Sequence, residues 1–146
     1  MGLYFEEFAI GDDYETPSRT LTEADIVGFA GLTGDYNPLH TDEVFAAKSM
    51  FGGRIAHGPM MVGMAFGLLS RLNLIDGTVL ALKAIEWSFD APLRAGDTVH
   101  VRARVTDAKP SGRHKDRGTV GLNIEIIRHD GVIAQTGQAT LIMACR

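Results

Sequence analysis

The sequence predicts an α+β domain in which an antiparallel sheet wraps around one long buried helix. Three observations carry that prediction. Pro59–Ser70 reads PMMVGMAFGLLS, and a helix apolar on nearly every face has to be buried on most of them. The second half of the chain alternates apolar and polar residues with a period of two, the pattern of half-buried antiparallel strands. Helical segments come first and strands follow together, which is α+β order and not the strand–helix alternation of a parallel sheet. A chain of 146 residues suits one domain, spanning 1–146.

The chain opens with a strand. Thr22-Glu23-Ala24-Asp25 then resembles a capping box with Asp in the place of the usual Glu, and it opens a helix with Ile26, Val27, Phe29 and Ala30 on its apolar side. That helix should fail between Gly31 and Gly34. A loop, GDYNPLHTD, follows, and then a short helix around Glu43–Lys48. Gly58-Pro59 begins the buried helix, with Pro at the first helical position, where an N–H has no partner to lose. Val79–Asp90 sets Ile85, Trp87 and Phe89 against Glu86, Ser88 and Asp90. Thr98–Thr106 sets Val99, Val101, Ala103 and Val105 against His100, Arg102, Arg104 and Thr106, and Thr119–Arg128 has Val120, Leu122, Ile124 and Ile126 as its apolar set. Asp130-Gly131 reads as a hairpin turn into a last strand, Val132–Met143. The remaining connections are Pro92–Asp97 and the longer, polar Ala108–Arg117.

Composition narrows the function classes. Lys+Arg 14 against Asp+Glu 18 gives a formal charge of −4, which offers no basic footprint for nucleic acid. The longest apolar run is about a dozen residues, short of the ~20 a membrane helix needs. The single cysteine, Cys145, has no intrachain partner, and the start MGLYFEEFAIGDD lacks the basic and apolar regions of a secretory signal. A cytoplasmic location is the expectation.

Two places could do chemistry. Asp35, Tyr36, Asn37, His40, Thr41 and Asp42 form the densest polar cluster, stiffened by Pro38. A carboxylate and an imidazole five positions apart on such a loop could share one water and exchange its proton. The same residues also read as structure alone, with Asp35 capping the Asn37-Pro38 turn and His40 capping the next helix. At the second place, His57-Gly58-Pro59, the Gly58 N–H at the start of the buried helix is a natural donor to a carbonyl oxygen that gains negative charge. An N-cap without a ligand is the alternative there.

Taken together, Phe29–Ser70, with its G-D-x-N-P-x-H core, Phe45-Ala46-Ala47, Phe51, Ile55 and His57-Gly58, resembles the hydratase signature of the MaoC-like dehydratases, which include the (R)-specific enoyl-CoA hydratases. Phe89–Val105 and Phe8–Asp12 are similar to further segments of that family. The resemblance implies a hot-dog fold and reversible hydration of a trans-2-enoyl-CoA to an (R)-3-hydroxyacyl-CoA, a hydro-lyase reaction of fatty-acid metabolism. Asp35 and His40 fall on the family's catalytic pair, Gly58 on its backbone oxyanion donor, Asn37 on a slot that orients the loop, and His57 beside the substrate. It implies no metal and no cofactor apart from the CoA thioester substrate, and a homodimer or a dimer of dimers as the assembly. Pro59-Met60-Met61-Val62-Gly63 departs from members that carry a hydroxyl residue near the helix start. A hot-dog thioesterase is the first competing function, although Pro59–Leu72 supplies no carboxylate for it. A non-catalytic acyl-CoA-binding module is the second. The basic loop Lys109, Arg113, His114, Lys115 and Arg117 reads as a solvated hairpin tip or as a contact for CoA phosphates. Trp87 reads as core, and His100 and His129 as strand-face and turn residues.

Overall fold

Six strands, all paired antiparallel, make one sheet in the computed structural model, which covers residues 1–146. The strands are β1 (Asp13–Glu15), β2 (Arg19–Thr20), β3 (Val79–Phe89), β4 (Thr98–Pro110), β5 (Arg117–Arg128) and β6 (Ile133–Ala144). They run in the order β1-β4-β5-β6-β3, with β2 beside β1 along the same edge of β4. The four C-terminal strands are contiguous, as expected. A 3-10 turn, Phe5–Glu7, precedes β1. The helices are α1 (Glu23–Thr33), α2 (Pro38–Thr41), α3 (Glu43–Ala47) and α4 (Gly58–Ser70). No helix is long and apolar enough to cross a membrane.

The period-two pattern settles the faces of β4 and β5. Val99, Val101, Ala103 and Val105 are buried with Val120, Leu122, Ile124 and Ile126, and α4 lays Met60, Met61, Ala65, Leu68 and Leu69 into the same core. Each fully buried Val, Leu, Ile or Met among them contributes roughly 1.5–3 kcal/mol. The opposite face is polar, with Arg104 bound to Asp13, Arg102 to Glu125 and Asn123 to Gln138 across neighbouring strands.

Five expectations need correction. β3 is not half-buried: α4 packs on β4 and β5, so Ile85 and Phe89 remain 47% and 54% exposed. α4 itself leaves Pro59, Gly63, Gly67 and Ser70 exposed because the sheet covers only one side of it. It also begins one residue earlier, with His57 at the N-cap position and Pro59 in the first turn. The Ala108–Arg117 connection shrinks to residues 111–116, since β4 pairs with β5 as far as Pro110↔Gly118. On α1, Ile26 and Ala30 are buried, whereas Val27 faces solvent. The Thr22–Asp25 capping box is present, with the Thr22 hydroxyl taking the Asp25 N–H and the Asp25 carboxylate taking the Thr22 N–H.

Candidate functional site

The segment between α1 and α4 is held by short polar side chains acting on their own backbone. Gly34 closes α1 in the left-handed region at φ +77°, a conformation that side chains with a Cβ disfavour. Asp35 Oδ1 then accepts the Asn37 N–H at 3.2 Å, and Asn37 Oδ1 accepts the Leu39 N–H at 3.0 Å. Pro38 supplies the first residue of α2. The stretch read as an open loop therefore contains one helical turn, and His40 rides on it. Asp42, not His40, caps α3, through the Phe45 N–H at 2.9 Å.

His40 faces inward. Its Nδ1 lies 2.8 Å from the Ile55 carbonyl. A carbonyl only accepts, so Nδ1 carries a proton, and in the neutral ring Nε2 is the nitrogen with the lone pair. The Ile55 N–H in turn donates to the Leu39 carbonyl at 3.1 Å, which ties α2 to residue 55 in both directions. His57 is fully buried, with Nε2 2.9 Å from the Asp35 carbonyl. One donor atom each from Asp35, His40 and His57 lie within 4.8 Å of one another. Such proximity can hold a metal ion, but the His40 and His57 rings stack with centroids 3.8 Å apart and planes 30° from parallel. Stacked rings direct their lone pairs side by side rather than toward one point, and two of the four ring nitrogens already donate to carbonyls. The cluster suits proton transfer better than chelation.

Gly58 opens α4, and its N–H donates to no group in the protein, nor does His57 cap the helix through its side chain. It borders a cleft of about 590 Å³ lined by Met50, Phe51, Ile55, Phe89, Arg94 and Gln135 among others. Arg94 fixes the far wall, binding the Phe51 carbonyl and, at 3.1 Å, the Arg54 carbonyl. Arg54 in turn bridges Glu23 and Glu43, and its hydrogen bond lowers the Glu43 carboxyl below its ordinary range.

Sequence reasoning missed three contributors. The Ile55 carbonyl is backbone and carries no residue signal. Gln135 is 3% exposed, accepts the Trp87 indole N–H at 2.9 Å, and donates to the Gly58 carbonyl at 3.4 Å. A shift of register between β5 and β6 passes over Ala134, whose carbonyl takes the N–H groups of Asp90 and Ala91, and turns Gln135 inward. A polar residue on the apolar parity of the last strand was the available signal. The third, Trp87, lies against Gly137, where a Cβ would come within 1.8 Å of its ring.

Asp35, His40 and His57 thus converge between α1 and α4. Asn37 caps α2 within that segment, and Gly58 follows His57 in the chain, bordering a cleft whose lining includes neither Asp35 nor His40. The basic 111–117 hairpin belongs to the β4–β5 connection. This is the architecture of an antiparallel sheet around a helix whose N-terminus adjoins a carboxylate–imidazole cluster. Residues 6–125 match the family model described as a MaoC like domain. Protein MaoC of Klebsiella aerogenes is 45% identical over 68% of this chain, which spans 29% of that protein's length. The 3-hydroxybutyryl-CoA dehydratase of Methylorubrum extorquens is 39% identical over 76% of this chain and 69% of its own. Among solved structures, the MaoC-like dehydratase of Rhodospirillum rubrum superposes with a TM-score of 0.90 at 31% identity, over 99% of both chains. A Mycobacterium tuberculosis protein described as a double hot-dog fold is 20% identical and shares the fold alone, with a TM-score of 0.86 over 99% of this chain and 45% of its own. The chain belongs to the MaoC-like dehydratase family and has the hot-dog fold.

Proposed function

We infer that the protein is a hydro-lyase that hydrates a trans-2-enoyl-CoA reversibly to an (R)-3-hydroxyacyl-CoA. One observation carries the reading: the Asp35 carboxylate and the His40 imidazole, whose Nδ1 is engaged by the Ile55 carbonyl so that Nε2 is the nitrogen available for proton exchange, stand within 4.8 Å of each other. Between them they hold one water, take its proton as the oxygen adds to Cβ, and return a proton to Cα on the same face. The sum is one water added across the double bond. The free Gly58 N–H at the positive end of α4 stabilises charge on the thioester oxygen meanwhile. Relatives named 3-hydroxybutyryl-CoA dehydratase and (R)-specific enoyl-CoA hydratase support the same chemistry. Nothing in this scheme calls for a metal or a redox cofactor. Thioester hydrolysis is disfavoured because α4, GPMMVGMAFGLLS, holds no carboxylate to activate water. Crotonyl-CoA distinguishes the readings: enoyl absorbance lost without free thiol supports hydration, thiol release supports hydrolysis, and no change supports a binding module.

The assembly we propose is a homodimer. β3 is an edge strand with Leu80, Leu82, Ile85 and Phe89 about half exposed, and the outer side of α4 is uncovered. Unpaired apolar edges of this kind are hidden by a two-fold partner. Light scattering should give a dimer mass at micromolar concentration, and Ile85→Lys should lower it. A monomer mass for the unaltered protein overturns the assignment.

A further inference from the structure

His57 is a fully buried imidazole that the hydration scheme leaves without a task. The Asp35 carbonyl, 2.9 Å away, can only accept, so His57 Nε2 carries the ring proton. Nδ1 then bears a lone pair, is buried, and has no partner. The His40 ring stacks on His57 at 3.8 Å between centroids, and Phe29 packs against it at 4.9 Å, tilted by 58°. The backbone of His57 is the N-cap of α4 and leads directly into Gly58. A single residue therefore holds the main chain of Asp35, supports the face of His40 and begins the helix that presents the Gly58 N–H.

We propose that His57 is a positioning residue that sets Asp35, His40 and Gly58 in mutual register and makes no contact with substrate. The inference rests on the hydration reading for its kinetic consequence. It explains why an imidazole with one idle nitrogen is kept at this place. The task needs a flat ring for His40 to lie on and one N–H at the ring's far end, and it makes no use of Nδ1. Phenylalanine retains the flat ring and loses the donor. Glutamine retains a donor at nearly the same reach and loses the ring. A displacement on the order of 1 Å in reacting groups costs about a hundredfold in rate, so losing the tie to Asp35 acts on turnover and leaves affinity alone.

The experiment combines crotonyl-CoA kinetics on His57→Phe and His57→Gln with ring proton–nitrogen NMR spectra recorded without substrate. The unaltered protein should show His57 protonated at Nε2 and His40 at Nδ1. His57→Phe should lose about 10–100-fold in kcat with KM changed by less than about threefold, and His57→Gln should recover to within about tenfold of the unaltered kcat. A rise in KM at constant kcat in His57→Phe makes His57 a substrate ligand and overturns the proposal, as does full kcat in both variants. If His57→Phe does not fold, His57→Gln decides by itself. Retention of about a tenth of kcat or more with His40 still protonated at Nδ1 upholds the proposal, and a greater loss with that signal intact overturns it. Failure of the unaltered protein to hydrate crotonyl-CoA refutes the reaction. The tautomer of His57 is read independently of it: Nε2–H upholds the placement, and Nδ1–H overturns it.

Discussion

Asp35→Asn separates the chemical reading of the 35–42 segment from the structural one. The Asp35 side chain is exposed, and its one hydrogen bond is Oδ1 accepting the Asn37 N–H at 3.2 Å. An asparagine keeps an oxygen at that position, so the turn survives. Even complete loss of an exposed bond of this kind costs no more than ~1 kcal/mol, a fall in Tm of ~2–5 °C for a chain of this size. The chemical loss is far larger, because an amide cannot take a proton from water. Removing a general acid or base lowers kcat by roughly 10²–10⁴-fold, or ~2.7–5.4 kcal/mol of barrier. Thermal unfolding and crotonyl-CoA hydration on one preparation read both quantities. The expected result is a near-normal Tm with kcat down by ~10²-fold or more, and Asp35→Ala should show the same kcat with a slightly lower Tm. If Asp35→Asn unfolds the chain, the turn-capping role wins. If it leaves hydration near normal, the catalytic assignment of Asp35 is wrong.

His40→Ala should lower kcat by a similar ~10²-fold or more. The double variant with Asp35→Asn should be little worse than the poorer single one, because residues acting as a unit are not additive; multiplicative losses refute a shared water. Asp130 sits between two Arg128 hydrogen bonds of 2.9 and 2.8 Å, which pull its carboxyl down to about 2 from an ordinary value near 3.8. A carboxyl lowered by folding stabilises above the unfolded value and ceases to as pH falls through the folded one. Carbon NMR of Asp130 should thus show a midpoint near 2 that returns toward the ordinary range in Arg128→Gln. Gly137→Ala puts a methyl 1.8 Å from Trp87 Cε3, an overpacking that should cost ~1–3 kcal/mol in urea unfolding. Trp87 is the one tryptophan of the chain, so its displacement should also shift the protein's fluorescence; an unchanged spectrum refutes the contact.

The parts of the structure legible in the sequence were those set by local period or by short-range capping. β4 and β5 alternate because one face meets α4, and nothing nearby overrides the pattern. The capping box at Thr22 is a contact across three residues and could be read directly. β3 failed the same reading because its alternation reports which face is apolar, while burial depends on where a helix far away in the chain lies. For the candidate site, spacing singled out Asp35, Asn37, His40 and Gly58 without deciding between a capping and a chemical role, and the motif's resemblance supplied the roles proposed for them. What spacing could not convey was the backbone of Ile55, which fixes the His40 tautomer, or the stacking of His57 on His40 across 17 positions of sequence. Those depend on how the 49–57 segment folds back on α2, a tertiary fact without local signal.

The least covered of the four long strands, β3, also steadies the start of α4. Trp87 on β3 donates to Gln135, and Gln135 donates to the Gly58 carbonyl, so the sheet holds the first helical residue through two side chains. Phe89, two residues along, lies where a Cβ on residue 58 would fall, 2.8 Å from its Cδ1, and leaves room there for glycine alone unless its half-exposed ring moves. Both contacts reach Gly58 from the sheet, Gln135 on β6 and Phe89 on β3. The residue whose N–H we assign to the thioester oxygen is thus held by His57 before it in the chain and by Gln135 and Phe89 of the sheet. Preorganised donors are effective because they need not reorient as charge develops. In this protein that condition rests on β3, whose exposed apolar edge leaves it the strand most in need of a partner.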